Sequence, residues 1–159
     1  MIKKTYNKNE AVSYAKKWAL TRNPNYYNFD KLGGDCTNFV SQCLFAGCKV
    51  MNYTDNGWYY SSLNKRSTSW TGVEFLYDFL TANKTIGPFG TIVPLYNVEL
   101  GDVVQLGNAN GNYYHTLIIT AIFEDNIYTS SHTIDSLDRP LTSYNYQLIR
   151  FIHIEGYRK

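Results

Sequence analysis

Residues 33–48 read Gly33-Gly34-Asp35-Cys36-Thr37-Asn38-Phe39-Val40-Ser41-Gln42-Cys43-Leu44-Phe45-Ala46-Gly47-Cys48, and their periodicity decides the fold. Cys36, Phe39, Val40, Cys43 and Leu44 recur at helical spacing and form one apolar stripe, with Ser41 and Gln42 on the other side. The pattern predicts a helix over 36–46 that Gly47 closes. Cys36 falls in its first turn and faces whatever the stripe packs on. Two glycines stand just upstream, where they would let a substrate backbone come close.

Working outward, Ala11, Tyr14, Ala15, Trp18 and Ala19 mark an earlier helix over 9–20, with Asn7 or Asn9 as its cap. Arg22-Asn23-Pro24-Asn25 breaks it. A tyrosine-rich loop over 26–32 then leads into the glycines. Positions 49–72 read as a long aromatic loop over one side of the core. A third helix is expected over 71–82, with Val73, Leu76, Tyr77 and Leu80 on one side. After Pro88 the pattern changes to strands over 102–106, 113–123, 127–133 and 147–154, with turn signals at Asn110-Gly111 and Asp125-Asn126. Helices first and strands second describe an α+β fold, with N-terminal helices packed on an antiparallel β-sheet in one domain over 1–159.

The bulk properties narrow the function classes. Hydrophobic residues make up 44% and charged residues 18% of the 159 residues, a globular composition. A formal net charge of +2, with no basic stripe among the aromatics, argues against a nucleic-acid partner. No apolar run reaches membrane-spanning length and no signal-peptide core follows Met1, so a soluble chain without a membrane partner is expected. Fifteen tyrosines would suit a polar-lined groove as well as a core. Two helical turns, roughly 10 Å, separate Cys36 from Cys43, which is too far for a disulfide. Three thiols are therefore expected, with Cys43 in the core.

A cysteine in the first turn of a helix meets unpaired backbone N–H groups and the positive end of the dipole. Both favour a thiolate, and the same N–H groups can hold an oxyanion. The plain alternative is a small buried hydrophobe, but the glycine-led position favours chemistry at Cys36. A thiol nucleophile needs a base, and there are three histidines. His115 opens a strand on the face that also carries Tyr113, Leu117 and Ile119. If Asp125-Asn126 is a two-residue turn, His132 opposes Ile119 and shares that face. His132 is then the first choice to orient His115, with Asp135 second and His153 structural or solvent-facing. A bulge would reverse this registration.

The octet Asp35-Cys36-Thr37-Asn38-Phe39-Val40-Ser41-Gln42, together with Tyr114-His115-Thr116, Gly101-Asp102-Val103-Val104 and Ser131-His132-Thr133, resembles the putative amidase domain family, within the NlpC/P60 and CHAP group of papain-like enzymes. The resemblance covers most of the chain. It implies a papain-like fold of the NlpC/P60 type, with Cys36 as nucleophile, His115 as base and His132 as the third polar residue. It also implies a tyrosine near the nucleophile, making Tyr26 or Tyr27 an oxyanion or substrate contact beside Asp35. Relatives in that group commonly cut peptide or amide bonds of bacterial cell-wall peptidoglycan, so a peptide or amide substrate is expected and no cofactor is needed. Two other classes compete: a zinc site built from Cys36, His115 and His132, and an inactive module that holds a wall peptide. An acyl transferase would use the same Cys–His pair.

Overall fold

A computed structural model describes residues 1–159. The helix that carries Cys36 runs from Cys36 to Cys48, and all but one of its residues are buried. The cause lies in how its polar side chains are satisfied. Ser41 Oγ donates to the Trp70 carbonyl at 2.9 Å and accepts from Trp58 Nε1 at 3.1 Å, while Gln42 Oε1 accepts from the Tyr14 hydroxyl at 2.5 Å. The expected polar face is thus a hydrogen-bonded face inside the protein, and the helix has neighbours all round. Gly47 does not close it. Any Cβ there would collide with the Tyr6 ring, so glycine permits the close packing, and Lys49 ends the helix in the left-handed region at φ 59°.

In chain order the elements are β1 (Lys3–Lys4), α1 (Lys8–Trp18), α2 (Cys36–Cys48), β2 (Tyr60–Ser62), β3 (Lys65–Arg66), α3 (Thr68–Thr71), α4 (Val73–Ala82), β4 (Gly87–Val93), β5 (Val103–Gly107), β6 (Tyr113–Phe123), β7 (Asn126–Ser131), β8 (Ser136–Pro140) and β9 (Leu148–Arg158). The fold is α+β, with four helices and a seven-stranded sheet in the order β1-β9-β5-β6-β7-β8, to which β4 adds by pairing with β9. Every pairing is antiparallel. Asn7 caps α1 by accepting from the Glu10 N–H at 3.1 Å. The helix expected over 71–82 is two, parted at an extended Gly72. The loop over 49–72 carries the small β2–β3 hairpin and sends Trp58 and Trp70 into the core, both fully buried. Strand β4 escaped the sequence reading because Pro88 and its glycines lower strand propensity. Proline is tolerated there because β4 pairs on one side only.

Strand alternation divides the apolar residues between two cores. Val103, Ile118, Ile152 and Ile154 face the helices and pack with Phe39, Val40, Cys43 and Leu44 of α2. Val104, Leu106, Leu117, Ile119 and Phe151 face the other way and form a smaller core with Ile127 and Leu141. No helix is long and apolar enough to cross a membrane. The β6–β7 register differs from the expectation. Phe123 pairs with Asn126, so the turn is Glu124-Asp125, with Glu124 at φ 56°, and a bulge between Ile119 and Ala121 shifts the ladder again. Ile119 therefore faces Thr129, and β7 ends at Ser131, before His132.

Candidate active site

The approach to Cys36 is built by backbone geometry. Gly33 and Gly34 hold φ of +88° and +99°, which side-chain-bearing residues rarely adopt, and turn the chain into Asp35. Asp35 is the N-cap residue of α2 and is fully buried. Its Oδ1 accepts from the Phe29 N–H at 2.8 Å and from Asn38 Nδ2 at 2.9 Å, and its Oδ2 meets His132 Nδ1 at 2.5 Å. Arg22 Nε lies 3.4 Å from the same Oδ2. The Asp35 N–H donates to Thr133 Oγ1 at 3.1 Å. A carboxylate so fully engaged is a structural keystone. Asp35, expected as an oxyanion or substrate contact, has no exposed atom with which to serve as one.

Cys36 follows, 7% exposed. Its sulfur lies 3.8 Å from the Thr37 hydroxyl, and Thr37 Oγ1 is itself 2.9 Å from Thr116 Oγ1. The first turn of α2 is thereby pinned to β6 at the residue after His115. Burial pushes the thiol above its ordinary range, against the lowering effect of the Thr116 and Thr37 groups beside it, and the Asp35 charge adds to the rise. The expected resting thiolate is therefore replaced by a resting thiol, because desolvation outweighs the helix terminus. Cys43 and Cys48 are also free and buried, and burial raises both.

His115 is 8% exposed and neither ring nitrogen is hydrogen-bonded within the protein. Thr116 points to α2, so alternation places His115 on the opposite face of β6, the one that carries Leu117 and Ile119. There its ring lies 6.1 Å from that of Tyr144. Burial, with a smaller contribution from the Arg139 charge, lowers its pKa to about 4. The imidazole is neutral near pH 7, the state in which it can accept a proton.

His132 and Asp135 do not meet His115. Both ring nitrogens of His132 are taken, Nδ1 by Asp35 at 2.5 Å and Nε2 by the Trp18 carbonyl at 2.8 Å, and Phe39 stacks on the ring at 4.1 Å. The Trp18 carbonyl, at the end of α1, otherwise accepts only the Thr21 N–H at 3.3 Å. Asp135 forms a two-toothed pair with Arg22 at 2.7 and 2.9 Å. The physical reason is the shifted register together with the turn after β7, where Thr133 and Ile134 take φ of 64° and 59° and direct the segment toward α2. The ligand set Cys36, His115 and His132 is accordingly not assembled, and no group of three or more His, Cys, Asp or Glu side chains is disposed to hold a metal ion.

Tyr26 stacks on Trp70 at 6.1 Å and touches Tyr60 at 5.0 Å, and burial raises its hydroxyl to about 12. Tyr27 packs on Phe29 at 4.9 Å and gives its carbonyl to Asn38 Nδ2 at 3.0 Å. Both anchor the loop before the nucleophile position, and no hydrogen bond brings either hydroxyl to the start of α2. His153 is structural, as expected, held by Asp102 at 2.9 Å. The sequence reading missed Thr116, Arg22, Tyr144 and Arg139. Only Thr116 carried a signal, through its place beside His115.

A buried cysteine at a helix start, docked on the strand that carries a neutral histidine, is the class of site this α+β fold presents. The chain belongs to the putative amidase domain family, whose profile matches residues 5–154. It is similar to the uncharacterized protein YhbB of Bacillus subtilis (strain 168), 32% identical over 136 residues that cover 82% of this chain and 42% of that protein. It is also similar to the uncharacterized protein YjcM of the same organism, 33% identical over 147 residues, covering 86% of this chain and 33% of that protein. The chain thus spans well under half the length of either relative. No solved structure matches it.

Proposed function

We propose that the protein is a cysteine amidase that hydrolyses amide or peptide bonds through a thioester, on a papain-like framework of the NlpC/P60 type. The observation that carries this reading is the docking of the first turn of α2, which carries Cys36, on β6 through the 2.9 Å contact of Thr37 Oγ1 with Thr116 Oγ1, one residue from a neutral and unpartnered His115. In the reaction the thiol proton passes to His115 as sulfur adds to the carbonyl carbon. The backbone N–H groups at the start of α2 stabilise the oxyanion. The C–N bond then breaks, His115 returns the proton to the leaving amine, and an acyl thioester remains on Cys36. Water attacks the thioester with His115 again as base, releasing the carboxylic acid and restoring the thiol.

Because thiol and imidazole both rest neutral, the ion pair need exist only while substrate is bound. The family description supports amide chemistry, and a cell-wall peptide is the substrate class that the resemblance favours. Incubation with muropeptides and simple peptide amides, read by mass spectrometry, tests the proposal. Hydrolysis by the native protein and none by Cys36→Ala is the expected result, whereas equal hydrolysis by both would overturn it.

A further inference from the structure

Arg139 and His115 flank the same Tyr144 ring. The Arg139 guanidinium lies 3.7 Å over that ring, which neighbours the imidazole at 6.1 Å. Nε donates to Ser143 Oγ at 2.8 Å and one Nη2 N–H to the Ser143 carbonyl at 3.1 Å. The remaining N–H bonds of the fork have no partner within the protein. No carboxylate neutralises the group. Asp138, its neighbour in sequence, alternates to the opposite face, where it accepts from Thr120 at 2.6 Å and lies 3.9 Å from Lys16.

The contrast with the other arginines is informative. Arg22 and Arg150 each pair with carboxylates, at 2.7 and 3.2 Å in their shortest and only such contacts respectively. Arg66 gives its fork to the Leu63 carbonyl and Thr71, and Arg158 donates to the Asn83 carbonyl. Arg139 alone stands on the face of His115. Thr129, its partner across the β7–β8 ladder, is fully buried with a hydroxyl that has no hydrogen bond, so this face keeps unspent polar capacity.

We propose that Arg139, stacked on Tyr144, is a carboxylate-binding subsite beside His115, and that the substrate is an amide or peptide bearing an acidic group close to the scissile bond. The assignment rests on the reading of Cys36 and His115 as the reacting pair. A planar fork with free N–H bonds matches the two oxygens of a carboxylate, which a lysine would bind only as a point charge. The charge also acts on the base itself, since Arg139 contributes to the lowered pKa of His115. Neutralisation of Arg139 by a bound acid would make the imidazole a stronger base once the correct substrate has arrived.

Two alkylating reagents of similar size but different charge test this. Cys36 modification by iodoacetate and by iodoacetamide is followed by peptide mass spectrometry, which separates it from Cys43 and Cys48. The iodoacetate-to-iodoacetamide rate ratio at Cys36 is expected to exceed that of free glutathione by about tenfold. Arg139→Gln should return the ratio to the glutathione value, and Arg139→Lys should keep part of it. A ratio unchanged in Arg139→Gln overturns the subsite. If neither reagent modifies Cys36, the nucleophile reading falls, and carboxylate recognition is then read without the thiol. Succinate, but not succinamide, should shift the Arg139 Nε–H and Tyr144 ring resonances, and the Tyr144 shift should vanish in Arg139→Gln. No succinate-specific shift overturns the proposal.

Discussion

His115 and His132 are both buried, 8% and 1% exposed, and each follows or opens a strand of the same β6–β7 hairpin. Their surroundings are opposite. His132 has each nitrogen committed, to a carboxylate and to a carbonyl, with a phenyl ring on its face. His115 has neither nitrogen committed, and the charge that acts on it is a cation. A histidine whose hydrogen bonds are complete can hold a structure but has no site left for a travelling proton. One kept desolvated and unpaired has a nitrogen free to accept a proton when a reaction delivers it. Residue type and burial do not separate these roles, whereas the accounting of partners does.

The sharpest test of that contrast is to remove each ring. His115→Ala should lower amide hydrolysis by roughly 10²–10⁴-fold, the usual contribution of a general base, with little change in melting temperature. His132→Ala should do the reverse. It leaves Oδ2 of the buried Asp35 carboxylate without a hydrogen bond and the Trp18 carbonyl with only the Thr21 N–H, at a cost of about 3 kcal/mol in unfolding free energy. Denaturation with urea reads the second effect, and initial rates read the first. A His132→Ala protein as stable as the native one would remove the structural role assigned to that ring.

Acid should act on the same contrast. The folded-state pKa of His115 is about 4, below the value near 6.5 of an unfolded chain. The unfolded state therefore binds more protons between these values. Stability from the neutral ring is fully present above about pH 6.5 and is lost as pH falls through 4, to the extent of about 3 kcal/mol. Unfolding curves of the native protein and His115→Gln, compared over pH 4–7, should show a steeper loss in the native protein. In kcat/KM the acid limb should fall near pH 4. A limb near 6.5 would mean that His115 is not the base or is not desolvated.

Much of this arrangement was legible in the sequence. The start of α2 at Cys36 follows from the apolar repeat, and the α+β layout from the change of period after Pro88. The octet is informative because nearly every polar member has a specific partner: Asp35 with His132, Thr37 with Thr116, Asn38 with Trp70 at 3.0 Å, Ser41 with Trp58 and Gln42 with Tyr14. What stayed hidden depends on single-residue displacements. A turn one residue earlier and one bulge moved His132 from the side of His115 to the side of Asp35. The sign of the Cys36 shift was hidden as well. Helix polarity can be read from a sequence, but the depth of burial that opposes it cannot.

The third histidine sets the lower end of the scale. His153 bonds Asp102 as His132 bonds Asp35, yet its side chain is 26% exposed and Asp102 keeps other donors, the N–H groups of Glu99 at 2.8 Å and Ile154 at 3.0 Å. Removal of the ring leaves a donor on each oxygen of that carboxylate, whereas both remaining hydrogen bonds of Asp35 fall on Oδ1. His153→Gln should therefore cost about 1 kcal/mol or less in urea denaturation and leave hydrolysis unchanged. The comparison isolates what makes His132 expensive to lose. If His153→Gln cost as much as His132→Ala, the placement of the remaining donors would not govern the penalty, and the argument that separates the structural rings from His115 would need a different footing.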